Sequence, residues 1–154
     1  MSRSADLIRL LRWEPKREPE LSWGDAEEHV GFAFPGDYKE LLSAFGSGVF
    51  DHLVEVISPV DDEESLDGFF SDVYETREVD DLVPWGKAGR CTLFWFTGTG
   101  DPDRWTITWC DAEFSEWDSY EGPTTAFLFD LLTGKITSRL FEFTPTRNPG
   151  FWPA

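Results

Sequence analysis

The chain has 154 residues, thirteen basic and thirty acidic, for a formal charge of −17, and it carries eight Trp and fourteen Phe. That length holds one domain with a sizeable core and not two. The aromatic content excludes a disordered acidic tail, and the charge disfavours nucleic acid or an anionic membrane as a partner.

In chain order, residues 5–12 predict a short amphipathic helix through Leu7, Leu10 and Leu11, followed by a charged, Pro-bracketed linker from Glu14 to Glu20. Ser22 suits the N-cap of a second helix. There Trp23, Ala26, Glu27 and Val30 recur at helical spacing, and Gly31 is the stop. Glu27 lies on the inward stripe, so its carboxylate requires a hydrogen-bond partner. Pro35 and Asp37 open a third helix over 36–45, with Tyr38, Leu41, Leu42 and Phe45 as its apolar face and Gly46-Ser47-Gly48 as its end. Leu53 to Ile57 reads as a strand. The segment 61–79 has helical spacing at Leu66, Phe69, Phe70 and Val73, with acids on its other face.

Strand signals dominate after Pro84-Trp85-Gly86. Arg90 to Thr97 is a strand, 98–103 a turn, and Arg104 to Cys110 a second strand, in which Trp105, Ile107 and Trp109 share one face. The short link makes the pair antiparallel. Phe114 to Tyr120 and Ile136 to Phe143 are further predicted strands. Between them Pro123 to Leu132 is a helix stopped by Gly134. The order predicts an α+β fold, a single domain with a mainly antiparallel central sheet flanked by helices. Its expected parts are an N-terminal helix and charged linker (1–21), the domain proper (22–144) and a Pro/aromatic tail (145–154). In that tail Trp152 is a candidate for a partly exposed contact.

The charge is unevenly placed. Segments 61–81 and 111–121 together carry −14 of the −17, whereas the first seventeen residues hold five bases. This polarity fits a basic protein partner; solubility alone would also account for it. The candidate partner-binding residues are Asp61, Asp62, Glu63, Glu64, Asp67, Asp72, Glu75, Asp111, Glu113, Glu116 and Asp118. No catalytic, cofactor or metal site is expected. His29 and His52 are the only histidines and lack ligand spacing, and Asp61-Asp62-Glu63-Glu64 lacks the alternation of a calcium loop. Gly98-Thr99-Gly100-Asp101 reads as a turn, without the Lys-Ser/Thr of a phosphate loop. A carboxylate pair able to hydrolyse glycosides would depend on spatial, not sequential, proximity. Cys91 and Cys110 fall in strand-like stretches and read as buried reduced thiols. With no apolar run long enough to span a bilayer, a reducing cytoplasm is the expected compartment.

Trp23, Glu27, Gly31, Pro35, Asp37, Tyr38, Lys39, Leu41, Leu42, Gly46 and Gly48, in that order, resemble the N-terminal signature of the SUKH superfamily. The group is named partly for fungal cell-wall-synthesis regulators and killer-toxin resistance. Pro84-Trp85-Gly86, Leu93-Phe94-Trp95 and the helix ending at Gly134 extend the resemblance over about residues 22–134. The resemblance implies an α+β domain without shared catalytic residues. Trp23, Tyr38 and Trp85 would be structural, Pro35 and Gly46 would punctuate the backbone, and Glu27 would accept hydrogen bonds. It also implies an immunity protein that binds and neutralises a bacterial toxin, often a nuclease or nucleic-acid-modifying enzyme. A regulatory scaffold for a housekeeping partner is the alternative. A monomer and a homodimer both remain open.

Overall fold

A computed structural model describes residues 2–15, 18–98 and 100–154, the side chains of 76–80 excepted. Lys16, Arg17 and Thr99, and with Thr99 part of the expected 98–103 turn, lie outside the described residues. Helix α1 spans Ser4–Leu11, α2 Trp23–Val30 and α3 Gly36–Phe45. Strands β1 (Gly48–Phe50) and β2 (Val54–Val56) follow, then α4 (Glu63–Asp80). Next come β3 (Leu82–Ala88), β4 (Cys91–Phe96), β5 (Thr106–Cys110) and β6 (Trp117–Tyr120). Helix α5 (Thr124–Leu132) and a last strand, β7 (Phe151–Pro153), close the chain. The seven strands form one sheet in the order β6-β5-β4-β3-β2-β1-β7, and every pairing is antiparallel. The fold is therefore α+β.

Local chemistry sets the helix limits. The Ser22 hydroxyl accepts from the Asp25 N–H at the start of α2, and Gly31, at φ 87°, ends it. Gly46 closes α3 at φ 70°, a region that side chains with a Cβ rarely enter. One oxygen of Glu27 accepts from the Phe34 N–H at 2.7 Å and from Lys39 Nζ at 3.2 Å, which ties the α2–α3 connection to both helices.

The core lies on one face of the sheet. Tyr38 of α3 meets Trp95 of β4 edge-on at 4.6 Å. Phe127 of α5 packs on Trp109 of β5 at 5.1 Å, and Trp95 Nε1 donates to Thr124 Oγ1 at 2.9 Å. Trp23 lies against Phe34 and Tyr38, and Trp85 stacks on Trp95. Trp85 sits where the β3–β4 register shifts between Pro84 and Gly86. A bulge tolerates both residues inside a strand.

One sequence expectation is corrected. Residues 136–143 form no strand. Phe141 is buried, and Ile136, Leu140 and Phe143 pack on the core, but the backbone turns so that Leu140 N–H donates to Ser138 Oγ and Leu140 O accepts from Cys91 Sγ. The ladder that periodicity placed there is supplied instead by the tail: β7 pairs with β1, Asp51 N–H donates to Gly150 O, and Thr146 Oγ1 donates to the Asp51 carboxylate. Phe151 enters an aromatic group with Trp13, Phe45 and Phe50. A Cβ at Gly48 would collide with the Phe151 ring and the Trp152 carbonyl, so this seat requires glycine opposite it. Phe151→Ala should therefore lower unfolding free energy by about 3 kcal/mol in a urea titration; a loss below about 1 kcal/mol would show the tail to be loosely attached.

Candidate partner-binding groove

Period-two alternation sends neighbours of the core residues to the opposite face of the sheet. With Leu93 and Trp95 inward, Thr92, Phe94 and Phe96 point away from the main core, as do their partners Cys110 and Thr106 on β5. Leu82, Phe94 and Cys110 make a small buried cluster of their own. Around it the surface is aromatic. Trp117 lies 5.9 Å from Phe94, and Phe114 lies 6.4 Å from Trp117. Phe96, Phe114 and Trp117 remain 46%, 59% and 43% exposed.

Helix α4 packs against β3, whose first half has no β2 residue opposite it. Between α4 and the second sheet face lies an open cavity of about 550 Å³. Glu64, Gly68, Phe69, Asp72 and Glu75 of α4 form one wall; Pro84, Gly86, Lys87 and Phe94 contribute the sheet side, with Glu55 and Phe114 at the margins. Four carboxylates thus surround the cavity against one ammonium, Lys87, which pairs across strands with Glu55. The first acidic segment borders the cavity through the carboxylates of α4, and the second through the Phe114 ring.

The sequence-predicted residues separate into two groups. Glu63, Glu64, Asp67, Asp72, Glu75 and Glu113 are exposed. Asp67 faces His29 at 3.6 Å, and Glu116, also exposed, faces Arg139 at 3.6 Å. The carboxylates of the others have work inside the fold. Asp61 is buried and accepts from the Ser47 N–H at 3.2 Å; after burial itself, its charge helps push the Tyr38 phenol up. Asp62 accepts from Ser65 N–H in the first turn of α4. Asp118 accepts from Ser138 Oγ, which in turn accepts from Trp109 Nε1. Glu55, Lys87, Phe94, Phe96, Phe114 and Trp117 were not picked out by sequence reasoning. The available signal was two large rings, Phe114 and Trp117, set among the acids of 111–121. Trp152 is exposed but stacks on His52 at 3.9 Å, at the far end of the sheet.

Asp111 organises the second segment. Its carboxylate accepts from Ser115 N–H at 2.8 Å, Ser115 Oγ at 2.6 Å and Glu116 N–H at 3.4 Å, while its carbonyl accepts from Phe114 N–H. The turn holds Phe114 at φ 57°, a left-handed conformation that a bulky residue adopts only under constraint. Hydrogen bonds, first from the Ser115 hydroxyl and then from its backbone, hold the Asp111 carboxyl below its ordinary value. Burial, then Asp111, then Cys91 push the Cys110 thiol up to about 11, so it is held as the neutral thiol at neutral pH.

Among the described residues, no group of three or more His, Cys, Asp or Glu is placed to hold a metal ion, and no helix is long and apolar enough to cross a membrane. A family model described as SMI1-KNR4 cell-wall, of the SUKH_6 type, matches residues 20–124. No curated protein and no solved structure matches the chain.

Because the Asp111 pKa is depressed when folded, the stability it contributes is complete above the ordinary 3.8 and is lost as pH falls through the folded value. Asp111→Asn should lower the denaturation midpoint at neutral pH, with the gap to the parent narrowing well below pH 3.8. A gap independent of pH would contradict a contribution from the charge.

Proposed function

The chain belongs to the SMI1-KNR4, or SUKH, family, and from that premise we propose that it is a non-catalytic immunity protein of the cytoplasm that binds and neutralises a cognate toxin. The observation that carries the proposal is one groove walled by the α4 carboxylates of the first acidic segment and bordered by Phe114 of the second. A nuclease or other nucleic-acid-modifying toxin presents a basic cleft to its substrate. A surface that is acidic at the rim and aromatic at the floor opposes such a cleft in charge and offers it apolar area to bury. The long-range field of a −17 chain would speed the encounter, and the rings would hold the complex once water is excluded.

Lysines at Glu63, Glu64, Asp67 and Glu75 test this while leaving Asp61, Asp62, Asp111 and Asp118, whose carboxylates bond within the fold, in place. Co-purification from the native cells identifies the partner, and stopped-flow mixing with it measures the rate. The four-fold charge reversal should slow association by about tenfold or more at low salt, with the difference shrinking as salt is raised, and it should abolish protection in cells. Unchanged association and protection would contradict the proposal. Recovery of a housekeeping protein with no toxic activity would favour the scaffold alternative.

A further inference from the structure

Acidity alone does not say which cation the groove takes. Lysine and arginine bring the same charge to a carboxylate, but only the guanidinium is planar, weakly hydrated and able to stack on a ring while its edge forks onto an acid. The groove offers both halves of that recognition. Glu64, Asp72 and Glu75 stand on the α4 wall, and Phe114 borders the same cavity with Trp117 beside it. Both rings are substantially exposed, and Phe114 is held in its left-handed conformation by the Asp111-centred turn. Phe114 is 59% exposed, touches Trp117, and has a backbone conformation that glycine would adopt more readily. Its place at the groove margin gives it a part in binding.

We infer that the groove seats an arginine-bearing segment of the partner, with guanidinium groups lying on the Phe114 and Trp117 rings and directed at the α4 carboxylates. The inference rests on the toxin-neutralising reading for the identity of the partner, though not for the chemistry of the groove. A cavity of about 550 Å³ has room for several side chains of a segment. An uncharged apolar segment would strip water from the Glu64 and Glu75 carboxylates without offering them a charged partner. A second copy of this chain would bring a charge of −17 against the same acidic face.

The test titrates the full chain with a synthetic arginine-glycine peptide and with its lysine-for-arginine twin, by calorimetry at equal ionic strength. The arginine peptide should bind about fivefold tighter or more, and Phe114→Ala with Trp117→Ala should bring the two to parity. Phe114→Gly should also lose the preference while leaving the denaturation midpoint unchanged or raised, which a merely structural ring would not do. Equal affinities for the parent, or a preference that survives loss of both rings, would overturn the inference. So would a parent dimer, seen by sedimentation, that Phe114→Ala dissociates. Protection assays separate this from the broader reading. If the double variant protects cells from the toxin as well as the parent does, the groove assignment falls and the immunity reading stands. If the peptides are discriminated but no toxin is bound, the immunity reading falls and the groove assignment stands.

Discussion

The edge-on contact of Tyr38 with Trp95 fixes which way the central strands face. Both side chains are fully buried, and they join the helical layer to the middle of the sheet. Once Trp95 points inward, pleating leaves Phe94 and Phe96 no choice but the other side. The same argument runs across the ladder to Cys110 and then to Trp117, its partner on β6. The aromatic second face is thus a consequence of the first. It is not an independent patch, and a one-residue slip of β4 would exchange the two.

Polar ties hold the helical layer in register with that contact. Asp37, in the first turn of α3, accepts from both the backbone N–H and the hydroxyl of Thr125 at 2.8 Å, and Thr125 Oγ1 accepts from the Arg3 N–H. Three helix beginnings therefore meet at one threonine, where the positive ends of α3 and α5 both face the Asp37 carboxylate. Trp13 Nε1 donates to Ala44 O at 2.7 Å, which fastens the segment after α1 to α3. The family match covers residues 20–124. Helix α1 and β7 lie outside it, and both add to the core on the helical side or at the β1 edge. Neither adds cover over the groove, and a rigid sheet behind the groove keeps its rings and carboxylates at fixed spacing.

Elements with strong local signals were legible in the sequence. Helix α2 has a serine cap and α3 a proline at its start, both have an apolar stripe and a glycine stop, and they start and end where those residues stand. The acidic helix α4 and the β4–β5 pair were readable from periodicity. Strands β1, β3 and β7 were not, although the short β2 and β6 were. β1 begins inside the Gly46-Ser47-Gly48 stop, β3 contains Pro84 and Gly86, and β7 lies in a Pro-rich tail. Each owes its ladder to a partner and not to its own composition. Residues 136–143 show the reverse: apolar enough for a strand, but spent on packing against Trp109 and Cys91. For the candidate site, sequence located the charge but not its use. It could not separate Asp61 and Asp118, which bond within the fold, from Glu64 and Glu75, which line the cavity, because that difference is set by tertiary position. It also passed over Phe114 and Trp117, since an aromatic in a strand-like stretch is more often core.

The most direct test of the claim that the open acidic face is the working surface is hydrogen exchange on the complex with the captured partner, compared with the free chain. Slowed exchange should concentrate in α4, in the first half of β3 and in the 111–120 segment, with α1, α5 and the β1–β7 edge unchanged. Protection confined to α1, α5 or the β7 edge, with α4 and 111–120 exchanging as in the free chain, would place the interface elsewhere and contradict the account.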